Sequence, residues 1–340
     1  MKTNIYYKGF QCFNFFLNQF ESLLLTSAKQ KNPGLWLYQN NARTPLFMLE
    51  GLAKMYMGIH NPKKFSKMKE QFKLLEDVLG AIDYYDAFAK EFISREKIPA
   101  AVTAYLQAQT REKIQSLNEL LKEKDWLSEG NSKIKKIRKK LAEADWMKEK
   151  EAIHAINAFY GRSIYEIVEF AKKSKLHFNT IDDVHELRRR LRWLSIYPQV
   201  ARGSIQLGKN KIVPEQLSKY LTPEITGSPF NIMPDAGNAK YFLLLEQNYF
   251  FALSWMIAEL GRLKDSGLRI IAIKEALQQL SAVNDETAYE ESYSYAGPEQ
   301  PKLEDRLKKA EDTCKSYFDG LNLEHLVMGI HSANPNRKER

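Results

Sequence analysis

Apolar residues recur three and four positions apart along almost the whole chain, and no stretch alternates apolar and polar residues as a half-buried strand would. That period lays one stripe of a helix against a core and turns the opposite face to water. It predicts helices over residues 10–29, 35–58, 64–94, 98–124, 132–143, 146–175, 181–197, 214–221, 238–264, 267–282 and 302–319. The breaks fall where Pro and Gly cluster, at "NPG" from 32, "NP" from 61, "TGSPFNIMPDAG" from 226 and "AGPEQP" from 296. The expected fold class is all-α. The N-terminal run "FQCFNFFLNQFESLLL" is interrupted by Gln11, Asn14, Asn18, Gln19 and Glu21, so it reads as a buried amphipathic helix rather than a signal or membrane segment. The acidic, aliphatic-poor stretch "VNDETAYEESYSYAGPEQP" reads as a solvated linker whose tyrosines leave room for partial docking.

A faint internal repeat underlies this pattern. "LLEDVLGAIDYYD" around Gly80 is similar to "WMIAELGRLKDSG" around Gly261, 181 residues further on. Each is an apolar helix running into Leu-Gly with an acidic residue shortly after. If these are counterparts, "YQNNARTPLFMLEGLAKMY" corresponds to "VHELRRRLRWL", and Arg43 corresponds to Arg188. Asn40 precedes Gly80 by 40 residues and His185 precedes Gly261 by 76, so the second half carries an insertion of 36, placed in the Gly- and Pro-rich segment 203–237. The expected organisation is two pseudo-repeated helical bundles side by side, residues 1–178 and 179–282. A linker over 283–301, a C-terminal helix over 302–319 and a tail over 320–340 would follow.

The most charged helical segment is "TIDDVHELRRRLRWLSIYP", residues 180–198, with one histidine and four arginines. Thr180 and Asp183 form a capping-box pattern that starts the helix just before the charges. At about 100° per residue, His185, Arg188, Arg189 and Arg192 share one stripe and Leu187, Leu191 and Leu194 lie opposite, with Arg190 between. Cations so spaced repel by a few tenths of a kcal/mol per pair. Two arrangements offset this: a solvated face paired with acids such as Asp182, Asp183 and Glu186, or an anionic ligand gripped by guanidinium forks.

With 340 residues, 44% of them hydrophobic, the chain can bury a sizeable core. The 51 Lys and Arg exceed the 42 Asp and Glu by nine, and a pI near 9.2 permits an anionic partner without requiring one. Cys12 and Cys314 follow no metal spacing and read as reduced core thiols of a cytoplasmic protein. No Gly-rich phosphate loop and no His–carboxylate metal pattern occurs. His154 and His177 are isolated, and His325 and His331 lie near the end of the sequence. Asp83 with Asp86, or Asp182 with Asp183, fit helix capping and salt bridging better than acid–base work, so no enzyme activity, cofactor or metal is expected. A second basic run, "KIKKIRKK" at 133–140, places Lys133, Lys136 and Lys140 on one face and Ile134, Ile137 and Leu141 on another. It reads as the wet side of an amphipathic helix, the alternatives being an extra polyanion track or a nucleic-acid contact. No aromatic lies within the run, and only Trp126 and Trp146 flank it.

"VHELRRRLRWL" resembles the signature of the CHAD family, the conserved histidine α-helical domains: a histidine, an arginine three residues later, and basic residues at four and seven. His185, Arg188, Arg189 and Arg192 occupy those places. "LGRLKD" at 260–265, with Lys264 before Asp265, is similar to the family's Leu-Gly-x-x-(Arg/Lys)-Asp element. The resemblance implies two helical-bundle halves and binding of inorganic polyphosphate, or a similar polyanion, in a basic groove between them. Carried onto this sequence, the ligand-binding residues are His185, Arg188, Arg189, Arg192, Arg43 and Lys264. The chain departs from the family in the first half. Asn40 stands in place of the histidine, Thr44 and Phe47 in place of basic residues, and "LGAIDYYD" puts Asp83 one position early. Trp193 and Ser195 also replace two often-basic positions. Some members follow a triphosphate-hydrolysing β-tunnel domain, for which no strands are predicted here. Two other readings stay open: a protein-interaction scaffold with internally paired arginines, and a nucleic-acid-binding module.

Overall fold

The computed structural model describes residues 6–128, 130, 132–210 and 212–332, and helices dominate it. First come α1 (Lys8–Ser27), α2 (Pro33–Gln39), α3 (Arg43–Ile59), α4 (Pro62–Ile93), α5 (Ala100–Glu123), α6 (Ser132–Ala142), α7 (Glu149–Ser174) and α8 (Ile181–Val200). The next segment holds strand β1 (Ile205–Gly208), 3-10 turns over Glu215–Tyr220 and Pro229–Asn231, the single helical turn α9 (Pro223–Thr226) and strand β2 (Tyr241–Glu246). Then follow α10 (Gln247–Leu280), α11 (Asp285–Ala296), α12 (Leu303–Asp319) and strand β3 (Val327–Ser332). Among the described residues no helix is long and apolar enough to cross a membrane.

The punctuation follows local chemistry. Asn32 and Asn61 each accept a hydrogen bond from a backbone N–H in the first turn, of Leu35 and Lys64, and each is followed by proline at the first helical position. Those two caps are the "NPG" and "NP" breaks. Thr180 caps α8: its hydroxyl accepts from the Asp183 N–H at 3.3 Å, and its own N–H donates to the Asp183 carboxylate at 2.9 Å. The capping box expected from the sequence is formed.

Three strands depart from the all-helical pattern. β2 pairs in parallel with β1, Ile205 opposite Leu243, and antiparallel with β3, Tyr241 opposite Ser332. The sequence places β2 inside the expected helix 238–264. "YFLLLE" is a short run of consecutive apolar residues that matches neither period, and the Glu246 carboxylate, accepting from the Tyr249 N–H at 2.8 Å, begins the helix only at Gln247. β3 falls within the stretch read as a tail.

The break expected between residues 264 and 267 is absent, because α10 runs unbroken through Gly267. That glycine is a contact point rather than a stop: a Cβ there would sit 2.6 Å from Ile181, the first residue of α8. The acidic stretch 283–301 also carries a helix. Asn284 caps α11, which buries Ala288, Ser292 and Ala296 and packs along α10.

Two apolar clusters organise the molecule. The larger draws on α1, α3, α4, α7, α8, α10, α12 and the strands, with Phe13, Phe20, Leu46, Phe72, Tyr160, Leu191, Phe250 and Tyr317 fully buried. Cys12 and Cys314 lie within it, unpaired, and burial pushes their thiols up to about 11 and about 12. The smaller joins the far ends of α4 and α10 to α5 and α11 around Phe92, Leu106 and Ile273. α3 packs against both α4 and α8, and α8 packs against α10. The charged face of α8 therefore lies between α3 on one side and α10 on the other.

Candidate functional site

The oily side of α8 is as the period requires, with Leu187, Leu191 and Leu194 fully buried. The cationic side is not the wet face its charge suggests: of His185, Arg188, Arg189 and Arg192, only Arg189 is exposed, and the other three are half-buried. Arg188 leans on α10, where its Nε donates to the carbonyl of Ile257 at 3.1 Å. Arg192 leans on α3, its guanidinium 4.5 Å from the centre of the Phe47 ring, which itself stacks on Trp193 at 4.8 Å.

Two glycines make room for these arginines. A Cβ on Gly261 would sit 2.9 Å from Nε of Arg188, and a Cβ on Gly80 would sit 2.9 Å from Nη2 of Arg43. Each Leu-Gly element thus receives the arginine that precedes it, and neither position tolerates a side chain without moving a guanidinium.

Partners divide the six candidate residues into two sets. Arg43 bridges Glu76 at 2.8 Å and Asp83 at 3.0 Å, and Lys264 meets Asp265 at 2.8 Å. Arg189 pairs with Glu186, which also holds Arg190. Arg188 and Arg192 have no carboxylate within ion-pair distance among the described residues. Burial, then the charges of Arg188 and Arg43, pull the Arg192 guanidinium down to about 10, against the opposing pull of Glu76. These three arginines, from α3 and α8, share one electrostatic neighbourhood.

His185 completes the stripe. Its Nδ1 is buried without a hydrogen-bond partner. Burial first, then Lys264, Arg188 and Arg189, hold its imidazole below the usual histidine range, with Asp182 opposing. Lys264 therefore faces His185 from α10 although its own Nζ rests on Asp265.

The sequence reading missed Lys54. It is on the same face of α3 as Arg43 and Phe47, eleven and seven residues on, which is the signal that identifies it. Its ammonium lies 4.7 Å from the Trp193 ring, and burial, Lys69, Arg189 and Arg190 depress it to about 8, with Glu50 opposing. A lysine whose folded pKa is depressed destabilises the fold where it must be charged. Stability therefore rises between pH 8 and the lysine's ordinary pKa near 10.5. Lys54→Met, which keeps the volume and removes the charge, is expected to raise Tm by roughly 2 °C at pH 7 and to flatten that alkaline rise, read by thermal melts across pH.

Asp83 and Asp86 are occupied structurally, Asp83 by Arg43 and Asp86 by the Tyr38 hydroxyl and Lys90. Asp183 caps α8, and His177 pairs with Glu311 of α12. Among the described residues no three His, Cys, Asp or Glu side chains are placed to hold a metal ion. No family model matches the chain, and no curated protein matches it.

Proposed function

We propose that the charged face of α8, along its α3 seam and where it meets α10, is a non-catalytic binding groove for inorganic polyphosphate or a closely similar polyanion, in a divergent CHAD-like chain of two related helical halves. The observation that carries this reading is the pair of half-buried guanidinium groups, Arg188 and Arg192, which have no ion-pair carboxylate among the described residues and lie beside Arg43, Lys54 and Lys264. Partly desolvated forks gain more from phosphate oxygens than exposed lysines do, because water competes less. The matching seats of Arg43 over Gly80 and Arg188 over Gly261 support the two-halves reading. A second reading has its own observation: Arg43, Arg189 and Arg190 each have an internal carboxylate in ion-pair distance, as in an interaction scaffold.

Titration with inorganic polyphosphate, poly(dT) and heparin at several salt concentrations separates these readings. Polyphosphate is expected to bind at near-physiological salt with an affinity that falls steeply as salt rises, and poly(dT) to show no dependence on its bases. The pH dependence has a definite sign. Unliganded His185 titrates below the ordinary 6.5 and is neutral at pH 7; a bound anion favours its protonated form. Affinity should therefore increase as pH falls below about 6.5, with proton uptake on binding, and His185→Gln should remove that increase. No polyphosphate binding at near-physiological salt would leave the scaffold reading in its place.

A further inference from the structure

The second basic run does not form a uniform wet face. Arg138, in its middle, points away from the lysines: its guanidinium donates to Asn14 at 3.1 Å, Asn18 at 2.6 Å and Glu21 at 2.6 Å, all on α1. With Ile134, Ile137 and Leu141 buried, this clamp fixes the rotation of α6 about its axis and aims Lys133 and Lys140 at α4. Three of the five polar residues that interrupt the greasy α1, Asn14, Asn18 and Glu21, are the other half of the clamp.

Between α4 and α6 lie two adjoining cavities of about 230 and 310 Å³ that share Lys67 and Gln71. Lys63, Lys64, Lys67, Lys124, Lys133 and Lys140 line them, against one carboxylate, Glu70, which accepts from the Ser66 hydroxyl at 3.0 Å. None of the six lysines has an ion pair among the described residues; Lys64 donates to the carbonyl of Lys140 at 3.3 Å instead. From Lys63 to Leu74 the cavities follow α4 for about 16 Å, at about 1.5 Å per residue. Such a row of like charges, opposed only by Glu70 in the lining and by Asp125 near Lys133, is self-repelling on balance, and an extended anion across it would relieve the repulsion.

We infer that this α4–α6 channel is a second anion-binding track, taking an unbranched inorganic polyphosphate chain along its row of lysine ammonium groups. Its ligand class rests on the reading of the α3–α8 seam; its residues are separate from that seam. The lining argues against a nucleic acid. Trp126 borders one cavity but is 2% exposed, its ring edge-on to Phe20 at 5.5 Å and capped by the Lys133 ammonium at 5.4 Å. No open aromatic face is offered to a base, which single-strand binders require for stacking. Lysines, as point charges on flexible stems, suit a uniform chain of phosphates rather than one fixed bidentate group.

The test uses the full chain and a short inorganic polyphosphate, with stoichiometry and affinity read by calorimetry. The wild type is expected to bind two chains. Replacing Lys63, Lys67, Lys124 and Lys140 together by Gln, all exposed and outside the core, should hold or raise the thermal midpoint, since it relieves their mutual repulsion, and should remove one site. In an Arg188→Ala, Arg192→Ala background, the same four changes should lower the remaining affinity at least tenfold and reduce the slope of log K against log salt by about 3, at ~0.7 per cation lost. If that background binds polyphosphate equally with and without the four lysines, the inference is overturned. A single site lost with the lysines and indifferent to the arginines sustains it and overturns the α3–α8 reading. Base-dependent binding of poly(dT), tighter than polyphosphate and abolished by the lysine changes, overturns it in favour of nucleic acid.

Discussion

Replacing Arg188 and Arg192 together by Ala is expected to lower polyphosphate affinity at least tenfold while the far-ultraviolet spectrum keeps its helical shape. A hydrogen bond involving a charged group contributes about 1.5–3 kcal/mol, so two forks removed from a half-buried seam exceed the ~1.4 kcal/mol that a factor of ten represents. Folding should hardly notice. The apolar face of α8 is untouched, and among the described residues Arg192 pairs with no carboxylate that its loss would strand. Its depressed pKa marks a charge that the folded state accommodates at some cost. The double variant is a cleaner probe than Arg43→Ala, which would leave the buried Glu76 without its cation and mix stability with binding. Unchanged affinity in the double variant would assign the anion, if it binds at all, to some surface other than α8.

Trp126→Ala is expected to destabilise the protein by about 3–5 kcal/mol, as for other fully buried large aromatics. That is a large share of the ~5–15 kcal/mol by which typical domains are stable. The indole fills the space where α1, α4 and the end of α5 meet, against Phe20 and, at 6.5 Å, Phe72. Its loss leaves a cavity beneath the lysines of α6 with little means of collapse. Chemical denaturation should show a lower midpoint with the slope retained. A cost below about 1 kcal/mol would mean that the ring is not part of the core and is free to stack on a ligand.

Much of the helical frame was legible because long amphipathic helices repeat their period often enough to be read. α4, α5, α7 and α8 begin and end within a few residues of the expected positions, and the caps at Asn32, Asn61 and Thr180 are written in the sequence. The misses have distinct physical causes. β1 and β2 are four and six residues long and gain their hydrogen bonds from partners distant in sequence, which no local window contains. Gly267 looked like punctuation because a glycine required by a neighbouring helix is indistinguishable, in one dimension, from a glycine required by a turn. α11 was read as linker because its buried face uses alanine, serine and tyrosine rather than aliphatic residues. At the site, the cationic stripe was legible from spacing alone. Which of its members have carboxylates was not, since Glu76 and Asp83 reach Arg43 from another helix.

α4 and α10 each begin in the larger apolar cluster and finish in the smaller one, passing Gly80 and Gly261 on the way. Where they finish, the Glu275 carboxylate of α10 accepts from the hydroxyls of Tyr85 on α4 and Tyr105 on α5, at 2.8 and 2.9 Å. The two clusters are thus joined by the continuous backbone hydrogen bonding of two long helices. Two cores strung on the same two helices are expected to melt in a single transition, with loosening at the tyrosine end carried along α4 and α10 to the arginine seats.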